Sequence, residues 1–333
     1  MIWQLLRTEE WLDSKISYYL FAMLLLLYED GLRFEHFVFV QLCLLFFVCY
    51  IAASYLVNDI SDIKTDIKSG KKKRIATLPR AYAFGLLAAV CAVGILPLLC
   101  YERSVQSVVL TAVIYFCGFS YSLKPLRLKE RGIFGTIWCS AAQKCVPIFL
   151  VLLRCPFSWR MVPVLLLSFF IGMRYILIHQ LSDIQNDKKA NVSTFSLHHP
   201  SAARTLLYCN VAAELCMLGL IAAGFMLTEG FAAGLSLLIL LPVCVLLMLF
   251  NVRAVKYMLC EHAFETFSFV PLEECYSLLL PLWCCCLGAF HHPVWLLDAA
   301  FVLLIQFRIT GIRVQFYAQY IRALARQRKE HRT

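Results

Sequence analysis

The stretch FVFVQLCLLFFVCYIAASYLVNDISDIKTD (Phe37–Asp66) decides how the rest of the chain is read. From Phe37 to Val57 it contains no Asp, Glu, Lys, Arg or His, and a helix of that length crosses the roughly 30 Å hydrocarbon core of a bilayer. Asp59, Asp62 and Asp66 follow at once. If the helix continues, 100° per residue places the three carboxylates inside a 60° arc. The segment reads as a membrane-spanning helix that carries an acidic face to the membrane surface.

Working outward, the whole chain has the same character. Of its 333 residues, 61% are hydrophobic and 16% charged, where a soluble domain carries about 45–50% and about 25%. Lipid must cover the excess, which excludes a soluble enzyme, a disordered chain and a disulfide scaffold. Glu9, Glu10 and Asp13 stand where a signal peptide would be basic. Apolar runs recur at Ser14–Tyr28, Phe37–Val57, Ala81–Cys100, Val105–Leu123, Gly135–Leu153, Met161–Ser182, Thr205–Leu227, Ala232–Phe250, Cys275–Phe290 and Val294–Phe307. The expected fold class is therefore all-α, a polytopic bundle of nine or ten transmembrane helices in a lipid bilayer. The 16 cysteines form no C-x-x-C pair and most lie within apolar runs, so they read as core and lipid-facing side chains.

Ten spans with the N-terminus inside put 25 Lys and Arg on one side and four (Arg33, Arg103, Arg154, Arg160) on the other. By the positive-inside rule the basic side is cytoplasmic, and the default membrane is a bacterial inner membrane. The basic end of the chain, residues 311–333, reads as an amphipathic cytoplasmic tail on the membrane surface, separate from a single domain spanning 1–310. Nothing else in the chain looks like a base-reading module, so nucleic acid is not an expected partner.

A second acidic cluster ends the sixth apolar run. Asp183 and Asp187 are one helical turn apart, with His179 one turn earlier, and the charge count puts both clusters on the same side. Carboxylates so crowded call for a cation. Mg²⁺ fits, because it takes one or two carboxylates and completes its shell with water and phosphate oxygens. Two such clusters around a diphosphate would hold the ions, and Lys72, Lys73, Arg74, Lys124, Arg127 and Lys129 would neutralise the remaining charge. Solvated loop charges at helix ends are the alternative for either cluster alone. Lys144 and Arg174 fall inside spans and should face the bundle interior, Arg174 to pair with a carboxylate or to address substrate. Glu214 and Asp298 also lie in apolar runs, without a partner evident from the sequence.

These residues resemble the UbiA superfamily of intramembrane prenyltransferases. Asn58, Asp59, Asp62 and Asp66 match its N-D-x-x-D-x-x-x-D motif, and Asp183 and Asp187 its D-x-x-x-D motif. Between them, Tyr121-Ser122-Leu123-Lys124-Pro125-Leu126-Arg127-Leu128-Lys129 fits the family's Y-S-x-x-P-x-R-L-K. The likeness covers roughly residues 1–290. After the first motif, Lys73-Arg74-Ile75 stands where the family usually has Arg-Pro.

The resemblance implies a helical bundle around a central cavity open sideways to lipid. In it, the two Asp motifs bind Mg²⁺ and a prenyl diphosphate, and Tyr121–Lys129 with the basic residues after Asp66 cap the diphosphate. The implied activity is transfer of the prenyl group to a hydrophobic or aromatic acceptor, such as a quinone precursor. A terpene cyclase of the same superfamily would use the same metal site without an acceptor. Phosphoribosyl transfer ranks lower, since only Arg7 and Trp11 survive of that branch's R-P-x-Q-W-x-K-N start. A transporter is the reading from another class, disfavoured because both Asp clusters lie at span ends.

Overall fold

The computed structural model describes residues 2–68, 74–190, 192–258 and 268–330. Within them the chain forms α1 (Ser17–Leu27, entered through a π turn, Leu12–Ile16), α2 (Phe34–Lys68), α3 (Arg80–Glu102), α4 (Val105–Ser120) and α5 (Gly132–Leu153). Then come α6 (Met161–Ala190), α7 (Pro200–Thr228), α8 (Phe231–Met258), α9 (Val270–His291) and α10 (Trp295–Glu330). Eight of these are long and apolar enough to cross a membrane; α4 is a shorter apolar helix and α1 shorter still. The ten apolar runs of the sequence thus correspond to ten helical segments.

Burial separates the inside of the bundle from its lipid-facing skin. In α1 every residue except Leu26 is buried, because the segment is enclosed by α2, α9 and the end of α5. By contrast α3, α7, α8 and α10 turn Val93, Leu96, Leu220, Leu246, Leu304 and Phe307 outward. In water such a surface would drive aggregation, whereas hydrocarbon solvates it.

Polar side chains inside the bundle find one another. Arg174 of α6 and Glu214 of α7 form a fully buried pair, Nε to Oε1 at 3.0 Å, and Asn210 donates to the same Oε1 at 3.0 Å. Asp298 accepts from Gln41 at 2.9 Å. Lys144 donates to the Ser14 carbonyl at 3.4 Å and lies over the rings of Tyr18, Tyr19 and Tyr175. It sits in the π turn Ala141–Cys145 of α5, which follows a regular start and precedes a 3₁₀ run from Val146. Pro147, which has no N–H to donate, helps explain why the α-helical ladder is not resumed.

Helix α10 runs unbroken through residue 310 to Glu330, about 54 Å at 1.5 Å per residue. Arg313 pairs with Glu274 at 3.2 Å and Tyr317 donates to Asn251 at 2.9 Å, so this stretch docks on the bundle through α8 and α9.

Candidate active site

Helix α2 continues past its apolar run, and residues spaced by four (Tyr50, Ser54, Asn58, Asp62, Asp66) make one stripe along it. Helix α6 does the same with Tyr175, His179, Asp183 and Asp187. Both stripes line a single cavity of about 420 Å³, which Tyr121, Lys129, Arg7, Lys15 and Gln143 help to enclose.

The α4–α5 loop is drawn over the α2 stripe. Lys129 donates from its backbone to the Tyr121 carbonyl at 3.1 Å, closing the loop on itself. Gly135 in the first turn of α5 permits this, since a Cβ there would lie 2.2 Å from the Leu128 carbonyl oxygen. The closed loop aims three side chains at the first motif. Ser122 and Lys129 both donate to Asn58 Oδ1, at 2.8 and 3.1 Å. Arg127 reaches Asp62 Oδ1 at 3.1 Å, and the Lys129 ammonium pairs with Asp62 as well. Burial pushes Lys129 below the ordinary lysine range, although Asp62 opposes the shift. On the second motif, Asn186 donates to Asp183 at 3.0 Å and Thr194 to Asp187 at 3.1 Å.

Asn58, Asp62, Asp66, Tyr121, Lys129, His179, Asp183 and Asp187 therefore meet in one cavity. Asp59 does not line it. Its carboxylate is buried against Arg7, 3.0 Å away, beside a smaller hollow that also contains Gln4, Glu10 and Arg74. Arg74 donates to Gln4 there. Lys124 is exposed outside the cavity lining. Lys72 and Lys73 lie outside the described residues. Arg174 is absent from the lining too: its Nε donates to Glu214, so of its two expected roles the carboxylate pairing is the one adopted. Arg7, Lys15, Tyr55 and Tyr175 line the cavity without belonging to either Asp motif or to the Tyr121–Lys129 segment. Lys15 donates to Gln143 at 2.7 Å, and both Lys15 and Arg7 lie over the Tyr55 ring. Among the described residues, no three His, Cys, Asp or Glu side chains are gathered as a ready-made metal cage.

A sequence profile of the UbiA prenyltransferase family matches residues 18–272. This chain belongs to the UbiA prenyltransferase family. No curated protein sequence matches it. Among solved structures, a UbiA homolog from Archaeoglobus fulgidus bound to DMAPP and Mg²⁺ has a TM-score of 0.57 at 15% identity, covering 86% of this chain and 98% of that one. The same homolog bound to GPP and Mg²⁺ gives 0.56 at 15% identity over 86% and 99%. A digeranylgeranylglyceryl phosphate synthase gives 0.54 at 15% identity over 84% and 95%. At this identity the likeness establishes a shared UbiA fold. With its apolar helices, it makes the chain an integral, multi-pass membrane protein.

Proposed function

We propose that this protein transfers an isoprenyl group from a prenyl diphosphate to a hydrophobic or aromatic acceptor inside the membrane, with Mg²⁺ as cofactor. The observation that carries the reading is the pair of carboxylate stripes, Asp62 and Asp66 facing Asp183 and Asp187, across one cavity with Lys129 at its edge. The donor set fits Mg²⁺: four carboxylates and the amides Asn58 and Asn186 are hard oxygen ligands. A full protein cage is not required, since Mg²⁺ keeps positions for water and phosphate oxygens. When bound, the ion would supply positive charge to the diphosphate.

The chain's own residues do the rest. Lys129 and Arg127, now spent on Asp62, sit where they can share their positive charge with a diphosphate held by the two stripes. As the C–O bond to the diphosphate breaks, these cations stabilise the departing charge. Tyr55, Tyr121 and Tyr175 line the cavity, and aromatic side chains there can stabilise an allylic cation. The acceptor then forms the new carbon bond and gives up a proton. The 25-to-4 asymmetry in basic residues supports a cytoplasmic opening, in a bacterial inner membrane by default.

The test uses purified protein with Mg²⁺ and prenyl diphosphates, with and without an aromatic acceptor, and Asp183→Ala as control. Prenylated acceptor formed by the wild type and not by the variant is the expected result. A cyclic hydrocarbon formed without acceptor would replace transfer by cyclisation, and absence of any diphosphate release would overturn both.

A further inference from the structure

Away from the aspartates, the α2 side of the cavity ends at one side chain, Tyr50. On α2 the cavity-lining stripe stops at Tyr50, twelve residues before Asp62, or roughly 18 Å along the helix axis. The Tyr50 hydroxyl donates to the Ala142 carbonyl at 2.8 Å, within the π turn of α5. This bond links α2 to α5 beside the cavity, which both residues line. Behind the ring lie Phe46 and Tyr115, in aromatic contact with it at 6.3 and 5.5 Å between centroids, and neither reaches the cavity. On its α4 side the ring is seated against Gly118, which also lines the cavity. A Cβ at Gly118 would lie 2.7 Å from both Cε2 and the hydroxyl of Tyr50 and 2.9 Å from Ser54 Oγ.

We propose that Tyr50 is the floor that limits how long a prenyl chain the cavity accepts, and that Gly118 is small so that the ring can occupy that position. The inference rests on the proposed reading of the cavity as a prenyl diphosphate site. With the diphosphate between the two aspartate stripes, the chain runs toward Tyr50 and each added isoprene unit brings its end nearer the ring. A hydrophobic pocket discriminates by about tenfold or more per methylene that does not fit, so a fixed ring is an effective ruler.

The experiment compares wild type, Tyr50→Ala, Tyr50→Phe and Gly118→Ala, using geranyl, farnesyl and geranylgeranyl diphosphate in competition and in single-substrate kinetics. Tyr50→Ala opens the floor toward Phe46 and Tyr115 and is expected to raise the geranylgeranyl-to-geranyl ratio of kcat/KM about tenfold, chiefly through KM. Gly118→Ala pushes the ring into the cavity and is expected to move the ratio the opposite way. Tyr50→Phe keeps the ring and should stay close to wild type. If Tyr50→Ala does not fold, the opposite-signed shift of Gly118→Ala still decides. Unchanged ratios in an active Gly118→Ala or Tyr50→Ala protein would overturn the floor and send the chain out sideways between helices. A wild type that consumes none of the three diphosphates would instead overturn the reading of the cavity, and the floor with it.

Discussion

The Arg7 guanidinium lies 3.0 Å from the Asp59 carboxylate, so the first aspartate of the first motif is tied to the N-terminal segment and not to the cavity. Arg7 also holds Glu10 and lies over the Tyr55 ring. Asp59 is 4% exposed, which sets it apart from the partly exposed Asp62 and Asp66 of the same motif. Removing Arg7 leaves that carboxylate buried without its guanidinium. Arg7→Ala is expected to destabilise the protein by about 2 kcal/mol, less than a fully buried pair would cost because Arg7 is partly exposed. A lower midpoint of thermal unfolding in detergent checks this, and an unchanged midpoint would mean that the pair contributes nothing.

Asp183 is the cleaner probe of chemistry. It lines the cavity, is partly exposed, and accepts from Asn186 one turn along the same helix. Asp183→Ala should lower turnover by roughly two to three orders of magnitude, the scale of losing one charge-stabilising group, while leaving the unfolding midpoint near wild type. Diphosphate release together with a thermal scan reports both.

The contrast between these two aspartates marks what the sequence made legible. Helical spacing showed that Asp62 and Asp66 share a face and that Asp183 and Asp187 share another, because a 3.6-residue period is a local property. The same arithmetic placed Asp59 on the α2 face as well. What turns it away is Arg7, 52 residues earlier, a tertiary contact that no period encodes. Lys15 was hidden for the same reason, being brought to the cavity by packing, whereas Tyr175 lies one turn before His179 on the α6 stripe, within reach of the helical period. Arg174 and Glu214 were each visible as costly intramembrane charges, but their pairing depends on α6 lying along α7. Composition changes near residue 310 while helix α10 continues to Glu330, so composition alone does not locate its end.

Lys129 gives a pH signature. Burial lowers its pKa below the ordinary lysine range against the pull of Asp62, so its positive charge is lost at a lower pH than that of an exposed lysine. Affinity for a prenyl diphosphate should be highest below that lowered value and weaken as pH rises through it. Lys129→Arg keeps its charge throughout this range and should flatten the alkaline rise in KM. A wild-type KM that is constant into the range of free lysine would remove Lys129 from diphosphate binding.

The Arg174–Glu214 pair separates a structural charge from a catalytic one. Both side chains are essentially inaccessible, at 1% and 0% exposure, and Asn210 is bonded to the same carboxylate. Taking away one partner strands the other in a medium that solvates it poorly. Arg174→Met is therefore expected to cost about 3–5 kcal/mol. Replacing both charges, Arg174→Met with Glu214→Leu, should recover much of that loss, since no ion then remains without a counter-charge. In the double variant, KM for a prenyl diphosphate should match wild type, because neither residue lines the cavity. Unfolding midpoints for the three variants, read beside their KM values, decide the matter. A double variant as stable as wild type but with a raised KM would return Arg174 to the substrate.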